Sequence, residues 1–290
     1  MSATRRTSGK EIVAIRSLAG KFCATLVRGL SVVCLTPSLV AGEPVESGPR
    51  GLIRVYSAEG PAPALCEAAS TFSTTQTVKV ISGPPSEWLE RAETDADAVC
   101  SSADFMMSEF LRNAALQVDR STVTPLYLRP SAILVRPGNP KRVQDFPDLV
   151  QPGLRLMVVI GSGQTGLWED MAGRKADFQA MRAIRQNISV CASSSAEAVQ
   201  FWRARKDIDA WITWDIWHVP LRTEATLIPV SKDYVIFRQC SVALTSRGRD
   251  KPLAGGFVKF LASPEGARIF ASWGWTTSSA RAAPLTQGSQ

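Results

Sequence analysis

The sequence predicts an α/β protein of two lobes, each a mostly parallel sheet flanked by helices, joined by two extended crossovers. Apolar segments of strand length alternate with segments of helical periodicity, and this alternation is typical of parallel sheets covered by helices. Two longer extended runs, residues 126–136 and 234–245, interrupt the alternation and are therefore expected to connect the lobes. The chain has 290 residues, 45% of them hydrophobic and 20% charged, which is enough ordinary globular sequence for two medium domains.

Residues 1–42 have the order of a secretory signal. Basic residues continue up to Arg28, an apolar run of eleven residues follows at 30–40, and the small residues Ala41 and Gly42 offer a cleavage site. The run is too short to span a bilayer, which takes about 20 residues. We expect residues 1–42 to be a signal peptide and the remainder to be periplasmic, with an uncleaved amphipathic N-terminus as the alternative.

The basic character of the chain belongs mainly to this leader. The net charge is +7, but residues 1–42 hold six of the 33 basic residues and only one of the 26 acidic residues, so the remainder is +2. The remaining sequence shows no basic patch of the kind that binds nucleic acid, and no nucleic-acid partner is predicted.

The first lobe is predicted to be discontinuous, formed by residues 51–128 plus 241–276. Strands are expected at 52–56, 78–82 and 98–100, each followed by a helix, with Ser86 as the N-cap of the second helix. Ser263-Pro264-Glu265 is a strong start signal for the last helix, since it offers a cap, a proline at the first position and an acid in the first turn.

The second lobe is predicted at residues 136–235, with strands at 155–160, 188–192 and 210–213 and a glycine-rich loop at 161–166. Helices are expected at 167–173, 177–187 and 195–205. The hinge crossovers are assigned to 129–135 and 236–240, and residues 277–290 to a flexible tail.

Open parallel sheets bind ligands at the carboxyl ends of their strands, where loops lead into helix N-termini that attract anions. The loops in that position are rich in Ser, Thr and Gly, whose hydroxyl and backbone donors add no charge. Ordinary helix capping would explain any one loop, but several in matching positions predict a site. The candidate ligand-binding residues are Ser57, Ser86, Ser101, Arg129, Gly163, Thr165, Gly166, Ser194, Thr213 and Trp214.

The arginines and the tryptophans of this region can each be interpreted as binding residues or as structural residues. Arg129, in the first crossover, either pairs with an anionic ligand through its planar fork or forms a salt bridge that fixes the hinge, and Arg238 in the second crossover has the same two interpretations. Of the tryptophans at 211–217, Trp211 is assigned to the core and Trp214 to a wall of the cleft.

No catalytic residue, metal or cofactor is predicted. The loop at 161–166 lacks the lysine of a phosphate-binding P-loop, no Gly-x-Ser-x-Gly elbow occurs, and His218 is the one histidine, without an evident nucleophile beside it. The cysteines after the leader, Cys66, Cys100, Cys191 and Cys240, fit no zinc spacing. They form either two disulfides, with three possible pairings, or small buried apolar positions.

Several motifs carry a family resemblance. Residues 165–174 read TGLWEDMAGR, and residues 210–214 read AWITW. Both are similar to signatures of accessory colonization factor C-like solute-binding proteins. The crossover at 126–129 and the ending at 263–275 resemble the wider molybdate/sulfate-type group, and the agreement extends from about residue 52 to 275.

This resemblance implies a type 2 periplasmic-binding fold and an anionic ligand: an oxyanion, a phosphate ester or a small carboxylate. It implies contacts from Ser57, Ser86, Arg129, Thr165, Gly166 and either Thr213 or Trp214. One departure lies in the first loop, where relatives carry more glycine and this chain has Glu59. A carboxylate near an anion is repulsive unless it points away.

The favoured function is therefore an exported receptor that binds a small anionic solute in its cleft and delivers it to the membrane permease of an ABC transporter. A binding protein with the same cleft that acts as an adhesin or sensor is the alternative, followed by an enzyme on a similar two-lobed fold. An enzyme requires a catalytic base in the cleft, and the loops are poor in His and Cys.

Overall fold

The computed structural model describes residues 51–72 and 78–277. The predicted signal peptide at 1–42 and nearly all of the predicted tail at 277–290 lie outside these ranges. In the described ranges, no helix combines the length and the apolar character needed to cross a membrane.

The strands of the described ranges form one mixed sheet in the order β2-β1-β3-β9-β4-β7-β5-β6, with β8 also paired to β4. The strands are β1 (Ile53–Ser57), β2 (Val78–Ser82), β3 (Ala98–Ser101), β4 (Thr124–Val135), β5 (Leu156–Val159), β6 (Ile188–Ala192), β7 (Ala210–Trp214), β8 (Thr226–Pro229) and β9 (Phe237–Leu244). We call β1–β3 with their helices the β1 side, and β5–β7 with theirs the β5 side.

Each side of the sheet is parallel, and the middle is antiparallel. The β1 strand is parallel to β2 and β3, and β5 is parallel to β6 and β7. The two long strands β4 and β9 run antiparallel to their neighbours. The predicted α/β class, with helices on parallel sheets and two extended connections, is therefore confirmed, while the short strand β8 was not predicted.

The long strand β4 changes partner midway. Residues 124–130 pair with β9. Residues 131–135 pair with β7 on one edge, and residues 132–135 pair with β8 on the other. The second part, Ser131 to Val135, is buried throughout, because it lies in the centre of the β5-side sheet. The change of partner comes after Pro130, one residue beyond Arg129, which places the Arg129 side chain where the two sides meet.

Ten α-helices occur in the described ranges: α1 (Ala62–Phe72), α2 (Pro85–Asp95), α3 (Asp104–Arg112), α4 (Leu167–Gly173), α5 (Phe178–Asn187), α6 (Ser195–Ala204), α7 (His218–Leu221), α8 (Ser246–Arg249), α9 (Pro252–Leu261) and α10 (Pro264–Ser272). The predicted start of α10 is confirmed, since the Ser263 hydroxyl accepts from the Gly266 N–H at 3.2 Å.

The expected N-cap role of Ser86 is wrong. Helix α2 begins two residues earlier than a cap at Ser86 implies, at Pro85, and Pro84 occupies the N-cap without a side-chain hydrogen bond. Proline has the fixed φ of a helix and no N–H to satisfy, so it starts the first turn readily. Ser86 consequently lies exposed within the first turn.

Apolar side chains fill the space between sheet and helices on both sides. One cluster joins Leu65, Phe257 and Phe270 to the strands, and another surrounds Trp202 and Trp211, which are fully buried. Trp211 therefore belongs to the core, as expected. These clusters fix the strand ends from which the loops of the site emerge.

The cysteines were predicted to form either disulfides or small buried apolar positions, and their burial differs from one position to another. Cys100 on β3 and Cys240 on β9 are buried thiols, whereas Cys191 is exposed. Burial raises the pKa of the Cys240 thiol to about 12. The interpretation as small buried apolar residues therefore applies to Cys100 and Cys240.

Candidate functional site

The loops at the carboxyl ends of the parallel strands meet between the two sides. On the β1 side they are residues 58–61 after β1 and 102–103 after β3. On the β5 side they are residues 161–166 after β5 and 193–194 after β6. Direct contacts between the two sets, through Arg129 and Glu59, locate the candidate site.

Arg129 is a buried cation at the centre of this meeting point, only 1% exposed. Its Nη2 donates to the carbonyl oxygen of Ser102 at 2.5 Å and to that of Gly163 at 3.1 Å, so one guanidinium touches both sides. Its Nε has no hydrogen-bond partner in the structure. Burial lowers the pKa of Arg129 to about 9.

Two indole rings flank the guanidinium. Its central carbon lies 4.6 Å from the ring centroid of Trp214 and 5.3 Å from that of Trp275. Ring faces stabilise a cation and fix its plane, but they do not neutralise it. Among the ion pairs of the described residues, none involves Arg129. The expected alternative of a salt bridge at this hinge position therefore does not describe it.

The carbonyl oxygen of Gly163 accepts from three donors. They are Arg129 Nη2 at 3.1 Å, Arg238 Nη1 at 3.3 Å and the Nε1 of Trp214 at 3.3 Å. Two guanidinium groups and an indole N–H thus converge on one oxygen atom. We call these three donors the arginine centre. Guanidinium and N–H donors of this kind also bind the oxygen atoms of carboxylates and phosphates in other proteins.

Arg238 differs from Arg129 in its charge balance. Its Nη2 forms an ion pair with Asp170 at 2.6 Å, and its Nη1 also donates to the Thr165 carbonyl at 2.9 Å. Its guanidinium lies 5.4 Å from the rings of both Phe105 and Trp214. The salt-bridge interpretation therefore describes Arg238, which joins strand β9 to the loop at 161–166 and to Asp170.

Asp215, directly after β7, is the acidic neighbour of Arg129. Its Oδ1 is buried without a hydrogen-bond partner. Burial raises the pKa of its carboxyl to about 7, against the opposing effects of the Ile216 N–H and of Arg129. Sequence reasoning missed this residue, because nothing in its spacing separates it from a surface aspartate.

Gln164 links the loop at 161–166 to the start of α6 and to strand β7. Its Nε2 donates to the Ser195 hydroxyl at 2.9 Å, and its Oε1 accepts from the Thr213 hydroxyl at 3.1 Å. All three side chains are buried. Gln164 was also missed, although it is the one long polar side chain in the glycine-rich loop. Thr213 is thus a support for that loop.

Glu59 points away from Arg129 and across to the β5 side. Its two carboxylate oxygens accept from the backbone N–H groups of Ser195, at 2.9 Å, and Ala196, at 3.1 Å. These are the first two residues of α6. Burial raises the pKa of the Glu59 carboxyl, and the two N–H groups partly oppose that effect.

The predicted residues divide into a buried group and an exposed group. Arg129, Gly163, Trp214 and Thr213 lie together in the centre, with Ser57 and Ser101 buried at the ends of their strands and Ser194 at the edge. The hydroxyls of Ser57 and Ser101 donate to the carbonyls of Ala58 and Ser241.

The rest of the predicted set has capping or peripheral positions. Ser194 caps α6 by accepting from the Glu197 N–H at 3.1 Å, and Gly166, with φ of 69°, is the N-cap residue of α4. Thr165 and Ser86 are exposed. No group of three or more His, Cys, Asp or Glu side chains in residues 51–72 and 78–277 is placed to hold a metal ion.

Comparison with known proteins gives consistent matches. The pattern of a family described as bacterial extracellular solute-binding protein matches residues 53–276. Peb3 from Campylobacter jejuni is 30% identical, with a TM-score of 0.69, over 78% of this chain and 99% of that chain. PEB3 with bound L-phospholactate gives 30% identity and a TM-score of 0.70 over the same shares. Among curated proteins, none matches.

More distant structures share the fold alone. The sulfate-binding protein SubI from Mycobacterium tuberculosis is 17% identical, with a TM-score of 0.63, over 77% of this chain and 85% of that chain. The periplasmic molybdate-binding protein of Azotobacter vinelandii is 15% identical, with a TM-score of 0.59, over 78% and 99%. The predicted resemblance and the type 2 periplasmic-binding fold are both confirmed.

Proposed function

We propose, because the chain belongs to the family of bacterial extracellular solute-binding proteins, that it captures a small anionic solute between the β1 side and the β5 side. The observation that supports this most directly is the arginine centre. Arg129 is a buried cation whose hydrogen-bond partners are two neutral carbonyl oxygens. A buried charge without a hydrogen-bonded counter-charge is costly, so an anion that pairs with Arg129 relieves that cost.

The two sides act as lobes in this proposal, with residues 51–128 plus 241–276 in one and 136–235 in the other. The crossovers at 129–135 and 236–240 form the hinge. The change of partner along β4 after Pro130 supports a hinge there, because the strand belongs to a different sheet region on each side of that point.

The ligand oxygens would take the place of the Ser102 and Gly163 carbonyls on Arg129 when the lobes part and close again. The indole N–H of Trp214 donates to the same Gly163 carbonyl, so it too becomes available to a ligand when that carbonyl moves away. An oxyanion, a phosphate ester or a small carboxylate fits this set. L-phospholactate, sulfate and molybdate, named for the similar structures, belong to these classes.

As an exported receptor of this family, the chain would deliver the captured solute to the membrane permease of an ABC transporter. The signal-like order of residues 1–42 supports export to the periplasm. The family and its neighbours are solute-binding proteins, and we propose no catalytic role for this chain. An adhesin or sensor would use the same cleft but require no permease.

The test is calorimetric titration of the purified protein with sulfate, molybdate, inorganic phosphate and L-phospholactate. Replacing Arg129 with Lys or Ala is expected to lower the affinity for the bound anion roughly 10- to 100-fold, since hydrogen bonds to charged groups contribute about 1.5–3 kcal/mol. Unchanged affinity in both variants would contradict the anion role of Arg129.

Arg136 offers a matched control. It too is an arginine stacked on a tryptophan, with its guanidinium 3.7 Å from the Trp202 ring. It donates to the carbonyls of Ile208, Trp202 and Arg205, all within the β5 side. Arg136→Lys is expected to lower stability without changing anion affinity.

A further inference from the structure

The contact of Glu59 with α6 joins the β1 side to the β5 side. Glu59 lies in the loop after β1, whereas Ser195 and Ala196 begin the helix after β6. We propose that Glu59 is a latch that holds the two sides together and competes with the captured anion. This inference rests on the proposed function, since it concerns how the same cleft opens.

The first turn of α6 is fully occupied in this arrangement. The N–H groups of Ser195 and Ala196 donate to Glu59, and that of Glu197 donates to the Ser194 hydroxyl. Helix N-termini attract negative charge through these free N–H groups and the helix dipole. Glu59 therefore supplies from within the chain the negative charge that this helix end would otherwise attract from a solute.

The latch and the arginine centre are coupled through the neighbouring residue, Gly60. A Cβ atom at position 60 would lie 2.5 Å from Arg129 Nη1, and one at position 163 would lie 2.5 Å from Arg129 Nη2. The backbones of both loops therefore pack directly on the guanidinium. An anion that reaches Arg129 must separate these loops.

Separating the loops breaks the Glu59 contacts. The 58–61 loop carries Gly60 and Glu59 together, so a displacement that frees Arg129 also withdraws the carboxylate from Ser195 and Ala196. Because a bound anion keeps these loops apart when the lobes close again, its capture competes with re-engagement of the latch. The apparent affinity of the cleft equals its intrinsic affinity multiplied by the fraction of molecules in which the latch is open.

The electrostatic surroundings agree with a contact that can release. Burial raises the pKa of the Glu59 carboxyl, and the like charge of Glu87 acts in the same direction. The charged form is thus held by two amide donors without a cationic partner among the described ion pairs. This balance supports a latch that a competing anion can displace.

The experiment compares Glu59→Gln with the wild-type protein and with Glu197→Gln. Glu197 is a matched control: it also accepts at the start of α6, from the N–H and hydroxyl of Ser193 at 2.6 and 2.7 Å, but within the β5 side. Calorimetry with sulfate and L-phospholactate measures affinity, and small-angle X-ray scattering without added anion measures the radius of gyration.

We expect Glu59→Gln to raise anion affinity by about tenfold and to enlarge the radius of gyration, because it removes the charge that the helix end attracts. Glu197→Gln is expected to match the wild type in both. An unchanged radius of gyration, or an affinity equal to or below the wild-type value, would overturn the latch. If the wild-type protein binds none of the tested anions, the proposed function fails, and the radius of gyration alone still decides whether Glu59 holds the sides together.

Discussion

Gly163→Ala tests whether the two sides are held in contact through the arginine centre. The added Cβ would lie 2.1 Å from the Ser102 hydroxyl oxygen and 2.5 Å from Arg129 Nη2. Ordinary contacts of a carbon atom are about 3.5–4.0 Å. The loop at 161–166 and the β1 side must therefore move apart by about 1 Å or more to admit one methyl group.

Neither neighbour can move away easily. Ser102 is 2% exposed, and its own Cβ would lie 3.1 Å from the new atom, so rotating the hydroxyl is insufficient. Arg129 is fixed between the Trp214 and Trp275 rings. Overpacking of this kind costs about 1–3 kcal/mol. The three hydrogen bonds to the Gly163 carbonyl oxygen weaken at the same time.

The expected result is a fall of about 1–3 kcal/mol in the free energy of unfolding by urea, together with a larger radius of gyration. The control is Gly255→Ala in α9, where no atom lies within 4 Å of the added Cβ. That variant should gain roughly 0.5–1 kcal/mol, because alanine favours the helix over glycine. If Gly163→Ala retains both the stability and the radius of gyration of the wild type, the direct packing of this loop on Arg129 is refuted.

Two further predictions concern buried polar contacts. Asp215 has a pKa raised from 3.8 to about 7, so the folded protein binds a proton more tightly than the unfolded chain, and its contribution to stability is present below pH 4 and lost as the pH rises through 7. Asp215→Asn should remove ~2–4 kcal/mol of that pH dependence in urea titrations, and parallel curves for the two proteins would contradict this. Gly248→Ala places a Cβ 1.8 Å from the backbone oxygen of Asp97, which cannot rotate away as a side chain can. The free energy of unfolding in urea should therefore fall by ~3 kcal/mol, and a fall of less than ~1 kcal/mol would contradict that packing.

The fold followed from the sequence wherever periodicity was strong. Helix α4 and strand β6 have the predicted bounds, and the run predicted at 126–136 forms most of β4. The four-residue elements β8 and α8 escaped, because a segment of that length carries little periodicity of its own; β3 and β5, which are equally short, were predicted because each precedes a loop and a helix in the alternating pattern. Ser86 was misassigned because a serine before a helical pattern resembles a cap, whereas Pro85 had already begun the turn.

The site was less predictable for a physical reason. Arg129 could be selected from its place in a crossover, since a cation between lobes has few structural uses. The convergence of three donors on the Gly163 carbonyl could not be predicted, because the position of a backbone oxygen has no signature in the sequence. Glu59 was noticed as a repulsive charge, but its partners are main-chain N–H groups 136 and 137 residues away, which only the tertiary structure brings near.

The two arginines of the site have different charge partners, and the difference indicates which one is available to a solute. Arg238 is paired with Asp170 at 2.6 Å, so its charge is largely compensated within the chain. Arg129 has carbonyl oxygens and ring faces as its close partners, and burial raises the pKa of the nearby Asp215 carboxyl to about 7, which weakens it as a counter-charge. An incoming anion therefore competes with neutral dipoles at Arg129 and with a carboxylate at the start of α6. An anion with two negative charges gains more at Arg129 than neutral carbonyls provide, so it is the kind of solute best able to offset the loss of the Glu59 contact.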